Sequence, residues 1–137
     1  MIVTLGLVLA AATVPDAEIR AATEAITAEV VAVRRELHAH PELSNREERT
    51  GRMVAERLRG LGLEVRYPVA KTGVVGVLRG GALPGPVVAL RADIDALPIQ
   101  EASDAAYKSQ VPGVMHACGH DAHTAILLGV AQALSEP

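Results

Sequence analysis

From Met115 to Ala125 the chain reads Met115-His116-Ala117-Cys118-Gly119-His120-Asp121-Ala122-His123-Thr124-Ala125, a stretch holding its only cysteine and three of its five histidines. A thiol and an imidazole separated by one glycine can face the same ion, and both suit a borderline cation such as zinc. The sulfur ligates as thiolate, and the cation itself lowers the thiol pKa enough to supply it. Gly119 lets the backbone bend so that Cys118 and His120 converge, with His116, Asp121 and His123 at hand as supporting partners or further ligands. Two donors are an incomplete catalytic site, which normally takes three protein ligands. Three readings of Cys118 stay open on these residues alone: an inert core thiol, a nucleophile paired with a histidine, or a metal ligand. The polar neighbours fit a core position poorly. The bland alternative makes His120 and His123 ordinary residues of a helix start and Asp121 its N-cap. His116 and His120 stand four apart, but no Glu follows His116 and Gly119 argues against a helix between them.

A second pair of carboxylates, Asp93 and Asp95, closes the apolar run Val87-Val88-Ala89-Leu90. Ligands in open α/β sheets bind beyond the carboxyl ends of strands, and strand alternation sends both side chains the same way. One of them is a candidate to orient a metal ligand or a substrate group; the alternative is a pair of solvated charges, with Arg91 as a structural partner. His38 and His40, with Glu42, read as a polar loop closing a helix, with an imidazolium near its C-terminus. Gly73, Gly76, Gly80 and Gly81 do not form G-x-G-x-x-G and no helix follows them, so a dinucleotide site is not expected.

The elements that must position these groups follow from periodicity. A helix opens at Pro15-Asp16, with Asp16 as cap and a face of Ile19, Ala22, Ile26, Val30, Val33 and Leu37. It ends at His38-Ala39-His40-Pro41, because the residue before proline avoids helical geometry. A second helix is expected from Ser44 or Asn45, through a capping box with Glu47 or Glu48. Its stripe is Met53, Val54, Leu58 and Leu61, and Gly60 and Gly62 close it. Residues 63–69 and 74–78 read as strands, and Val87–Leu90 as a third, covered on both faces. A loop then runs from about Pro98 to His120. The last helix, capped by Asp121, buries either Ala125, Leu128, Gly129 and Gln132 or Ile126, Val130 and Leu134. The expectation is an α/β fold, a mixed sheet with flanking helices. A three-stranded sheet this apolar would leave an edge uncovered, so the sequence looks like the front part of a larger domain.

Composition narrows the function classes. A chain of 137 residues, half of them hydrophobic, can build one domain with a core. Its net charge of −3 and lack of any Lys/Arg run argue against nucleic acid as a partner. Without Phe or Trp the core must be aliphatic, and stacking platforms for bases are missing. A single cysteine excludes an internal disulfide. Residues 1–14 form an apolar run ending in small residues, which reads as a signal peptide directing export to the periplasm or outside the cell. The run is too short for a membrane span, which needs about 20 residues. No Lys or Arg precedes Arg20, so a cytoplasmic protein with an apolar N-terminus is the alternative.

Three segments together resemble one family: Arg34 to Ser44 (Arg-Arg-Glu-Leu-His-Ala-His-Pro-Glu-Leu-Ser), Leu90 to Glu101 (Leu-Arg-Ala-Asp-Ile-Asp-Ala-Leu-Pro-Ile-Gln-Glu) and Gly113 to Ala125. Their order and spacing are similar to the M20 metallopeptidases, in the branch of N-acyl-amino-acid, hippurate and auxin-conjugate amidohydrolases. The resemblance runs from about Ala32 to the end. It implies a zinc-peptidase-like catalytic domain, of which residues 15–137 would be an incomplete N-terminal part. It also implies a centre of two divalent ions (Zn, Mn, Co or Ni), an N-acyl amino acid or small peptide as substrate, and a homodimer. Cys118 and His120 match the metal ligands of this branch. Asp93 matches a catalytic Asp that orients a ligand, and Arg91 stands where other branches have a ligand histidine. The family's Glu pair and further histidines would lie beyond Pro137, so the chain alone is expected to be inactive. The alternative is a non-catalytic metal-binding or interaction module.

Overall fold

The computed structural model describes residues 14–80 and 85–135. The signal-peptide reading of residues 1–14 falls almost entirely outside them. No helix among the described residues is long and apolar enough to cross a membrane.

The first apolar stripe becomes helix α1 (Asp16–Ala39). Pro15, not Asp16, occupies the N-cap, and no side chain caps the helix. Asp16 lies inside the first turn, where its charge meets the positive end of the helix dipole. Ile26, Val33 and Leu37 are buried on the expected face, and the helix stops at Ala39, with His40 non-helical before Pro41.

Helix α2 (Glu48–Gly60) starts later than either capping box places it. Residues 43–46 form a turn instead, with the Arg46 amide donating to the Leu43 carbonyl and Asn45 at φ 64°. The first amides of α2 are satisfied from farther back: Arg49 N and Thr50 N donate to the two carboxylate oxygens of Glu42, at 3.0 and 2.7 Å. Gly62, at φ 82°, turns the chain out of α2 into the strands.

Strands β1 (Glu64–Val69) and β2 (Gly73–Val77) pair antiparallel, Glu64 opposite Val77 and Arg66 opposite Val75, with an irregularity before Val69. Helix α2 lies against this hairpin so closely that Gly51 faces the Thr72 carbonyl and the Tyr67 ring.

Val87–Leu90 is not a paired strand among the described residues. Val87 is 97% and Leu90 57% exposed. β-branched residues favour extended backbone, but a ladder partner makes a strand, and none lies beside this segment. The pairing that forms comes next in sequence. Ala96 bridges Leu43 in parallel, its amide donating to Glu42 O at 2.8 Å, while Leu97 and Met115 exchange two bonds of 3.0 Å in antiparallel sense. This narrow ribbon brings residues 93–97 alongside the Met115–His120 segment.

The chain then enters helix α3 (His120–Ser135), which buries Asp121, Thr124, Ala125, Leu128 and Gly129, largely the first of the two expected faces. Val33 and Leu37 of α1, Val54 of α2, and Ala125 and Leu128 of α3 form one core cluster, with Val30, Met53, Leu58 and Val74 packed around it. Gly129 lets α3 approach α1, since a Cβ there would sit 2.6 Å from Val30 Cγ2. The class expected from sequence, helices packed about a small sheet, is the class observed, with the two described strands antiparallel.

Candidate metal centre

Cys118, Gly119 and His120 form the turn into α3. Gly119 sits at φ 84°, a conformation that costs other residues about 1–2 kcal/mol. Its amide donates to the His116 carbonyl at 3.2 Å, and its carbonyl accepts the amides of Ala122 and His123. The donors on either side are thus carried by a hydrogen-bonded turn. Cys118 is a free, exposed thiol.

The His120 side chain is 17% exposed, and its Nδ1 lies 2.8 Å from Asp95 Oδ1 and 3.0 Å from the Asp95 carbonyl oxygen. Facing two acceptors, Nδ1 donates, which leaves the lone pair on Nε2. A ligating histidine is prepared in this way, by a carboxylate or carbonyl that fixes the tautomer and aims the other nitrogen. The chemistry of the pair therefore fits a soft-to-borderline divalent ion. Among the described residues, no three His, Cys, Asp or Glu side chains converge to hold a cation; Cys118 and His120 flank Gly119 on the turn, the first exposed and the second held by Asp95.

The two aspartates separate in role. Asp95 grips His120, whereas the Asp93 carboxylate pairs with the exposed Arg91 guanidinium. Asp93 reaches the site through its backbone, its carbonyl accepting from Thr124 Oγ1 at 3.0 Å. Alternation alone had put both carboxylates on one side.

Behind α3 lies a polar cluster that the sequence reading left as an ordinary helix end. His38 is buried; its Nδ1 is 2.7 Å from Asp121 Oδ2 and its Nε2 3.2 Å from Glu101 Oε1. Arg34 Nε also donates to Asp121 Oδ2, at 2.7 Å. Asp121 is 0% exposed, a buried partner of α1 and not the helix cap. Burial pushes the Glu101 carboxyl up, but the Ser103 hydroxyl, the Ser109 amide and His38 together outweigh it and hold the pKa at about 2. Tyr107 packs edge-on to His38, with the Arg34 and Arg35 guanidinium carbons 4.9 and 5.2 Å from its ring centre. His116 is buried next to this cluster, and among the described residues neither ring nitrogen has a well-formed hydrogen bond, the Asp95 backbone being its one polar neighbour that favours the charged ring by hydrogen bonding. Burial lowers its pKa against the opposing pull of Asp121. The clue available in sequence was the odd placement of His38 and Asp121, both falling on helix positions that face inward.

Fold and site together define an α/β protein carrying a thiol–imidazole pair at a helix start, its imidazole oriented by a carboxylate. Residues 89–136 match Peptidase family M20/M25/M40. The chain is 56% identical over 106 residues to thermostable carboxypeptidase 2 of Saccharolobus solfataricus, covering 77% of this chain and 27% of that protein. It is 52% identical over 120 residues to the N-acyl-L-amino acid amidohydrolase of Geobacillus stearothermophilus, covering 87% of this chain and 32% of that one. Among solved structures it superimposes on the Bacillus subtilis YXEP protein, described as a dinuclear metal-binding peptidase of the M20 family. The TM-score is 0.76 at 45% identity, over 82% of this chain and 31% of that one. The chain thus shares an M20 peptidase segment at residues 89–136, and it spans between a quarter and a third of the length of these relatives.

Proposed function

We infer that this chain carries part of the active site of a metal-dependent amidohydrolase acting on N-acyl amino acids or small peptides. Cys118 thiolate and His120 Nε2 are the residues that would hold a divalent ion. Asp95 keeps His120 in the ligating tautomer, and Asp93 braces α3 through Thr124. A divalent ion there supplies Lewis acidity toward an amide carbonyl. The observation that supports the reading is the bond between His120 Nδ1 and Asp95, which leaves Nε2 free to act as the ligating nitrogen. The amidohydrolase and dinuclear-peptidase relatives support the reaction class and the use of divalent ions.

Cobalt(II) titration of the purified 137-residue chain tests the pair. A sulfur-to-cobalt charge-transfer band is expected, lost in Cys118→Ser with the fold intact by circular dichroism. A cobalt spectrum unchanged by Cys118→Ser refutes the assignment. The same preparation, given N-acetyl or N-benzoyl amino acids with manganese, cobalt or zinc, is expected to show no turnover, since no three ligating side chains converge among the described residues.

A further inference from the structure

His38 contributes more than the end of a helix. It lies 83 residues from Asp121 in sequence, on the last turn of α1, and its ring is inserted between two carboxylates. The ring bridges the Asp121 and Glu101 carboxylates, with the Arg34 guanidinium beside it, 3.4 Å from Nδ1. Such a buried network is a poor source of stability, because hydrophobic side chains of equal volume usually do as well or better. What it supplies is a defined position. Glu101 is anchored independently, by the Ser109 amide at 2.6 Å and by the Ser103 hydroxyl. Among the described residues, the Asp121 carboxylate has only His38 and Arg34, both on Oδ2, while its Oδ1 has no partner. The Arg34 side chain is 32% exposed, so His38 is the enclosed half of that grip.

One peptide bond separates Asp121 from His120, and the Gly119 carbonyl binds the amides of Ala122 and His123, so the turn moves as a unit. A shift of about 1 Å at Asp121 would carry the His120–Asp95 contact out of hydrogen-bonding range.

We propose that His38 is a positioning residue for the metal-binding turn: bridging Glu101 and Asp121, it fixes the first turn of α3 so that His120 keeps its ring against Asp95. The inference rests on the metal-centre reading for its purpose, but the position of the His120 ring can be read without metal.

The test compares the wild-type chain with His38→Gln and with Val54→Ala, a truncation of the hydrophobic core in α2 that leaves the His38 bridge in place. Nitrogen-15 NMR of the metal-free histidine rings reports the His120 tautomer, and competition with a chromophoric chelator reports cobalt affinity. In the wild type, His120 is expected as the single Nδ1–H tautomer. In His38→Gln it becomes a mixture, and cobalt affinity falls by about tenfold, the lower end of what losing an outer hydrogen-bond partner costs a metal site. Val54→Ala lowers the melting temperature but moves neither readout. If His38→Gln does not fold, Glu101→Ala, which removes the other end of the bridge, is expected to shift both readouts in the same direction. A pure Nδ1–H tautomer with affinity within twofold of wild type overturns the proposal, as does an equal shift in Val54→Ala. A wild-type chain that binds no cobalt overturns the metal reading instead, and the tautomer comparison still decides the role of His38.

Discussion

Asp93 and Asp95 are two residues apart and chemically identical, yet the structure gives them different work, and exchanging each for asparagine separates them. Asp95→Asn leaves an oxygen that still accepts from His120 Nδ1, and the Asp95 backbone carbonyl, 3.0 Å away, is untouched. What disappears is the negative charge. A hydrogen bond to a charged group contributes about 1.5–3 kcal/mol and a neutral one about 0.5–1.5, so the loss is about 1–1.5 kcal/mol. That corresponds to roughly a tenfold fall in metal affinity. Asp93→Asn removes only an ion pair with an Arg91 side chain that is 85% exposed, an interaction of little consequence. Its backbone carbonyl still receives Thr124. Affinity within about twofold of wild type is expected there. Zinc affinity by competition with a fluorescent chelator, at fixed pH and ionic strength, gives both numbers. The argument is refuted if Asp93→Asn weakens zinc as much as Asp95→Asn does.

Two further outcomes follow from the packing and charge. The folded-state pKa of Glu101, about 2, lies below the group's ordinary value of 4.5, so its stabilising contribution is present above pH 4.5 and is lost as pH falls from 4.5 toward 2. Urea midpoints measured against pH should show wild type above Glu101→Gln at pH 6, with the gap closing near pH 2; parallel curves contradict this. Gly51→Ala would put a Cβ 2.5 Å from the Thr72 carbonyl oxygen and 2.7 Å from the Tyr67 ring. The helix-propensity gain of about 1 kcal/mol is outweighed by overpacking of about 1–3 kcal/mol. Thermal melts should therefore show a lower midpoint, while Gly60→Ala, with no atom within 4 Å of the added methyl, should not.

The parts of the fold legible in sequence were those set by local periodicity. The inward face of α1, the β1–β2 alternation and the Ala125–Leu128–Gly129 face of α3 need only the spacing of apolar residues. The misread parts depended on where remote chain arrives. Ser44 and Asn45 carry good capping chemistry, but Glu42 reaches over the turn and takes the amides. Asp121 looks like an N-cap until α1 brings Arg34 and His38 to it. Val87–Leu90 has strand composition, yet pairing is a property of neighbours. Cys118 and His120 could be singled out together because one residue separates them. The choice of Asp95 over Asp93 was not, because it depends on the ribbon that Leu43, Ala96 and Met115 build.

The 24 residues of α1 make a rod about 36 Å long, and consecutive positions on it serve different masters. Leu37 is sealed in the hydrocarbon interior, and His38, the next residue, holds the entrance of α3. On the proposed role of His38, a substitution at Leu37 disturbs its chain neighbour's grip on Asp121 as well as the core, and a survey of variants would find the fold and the turn failing together at that one position.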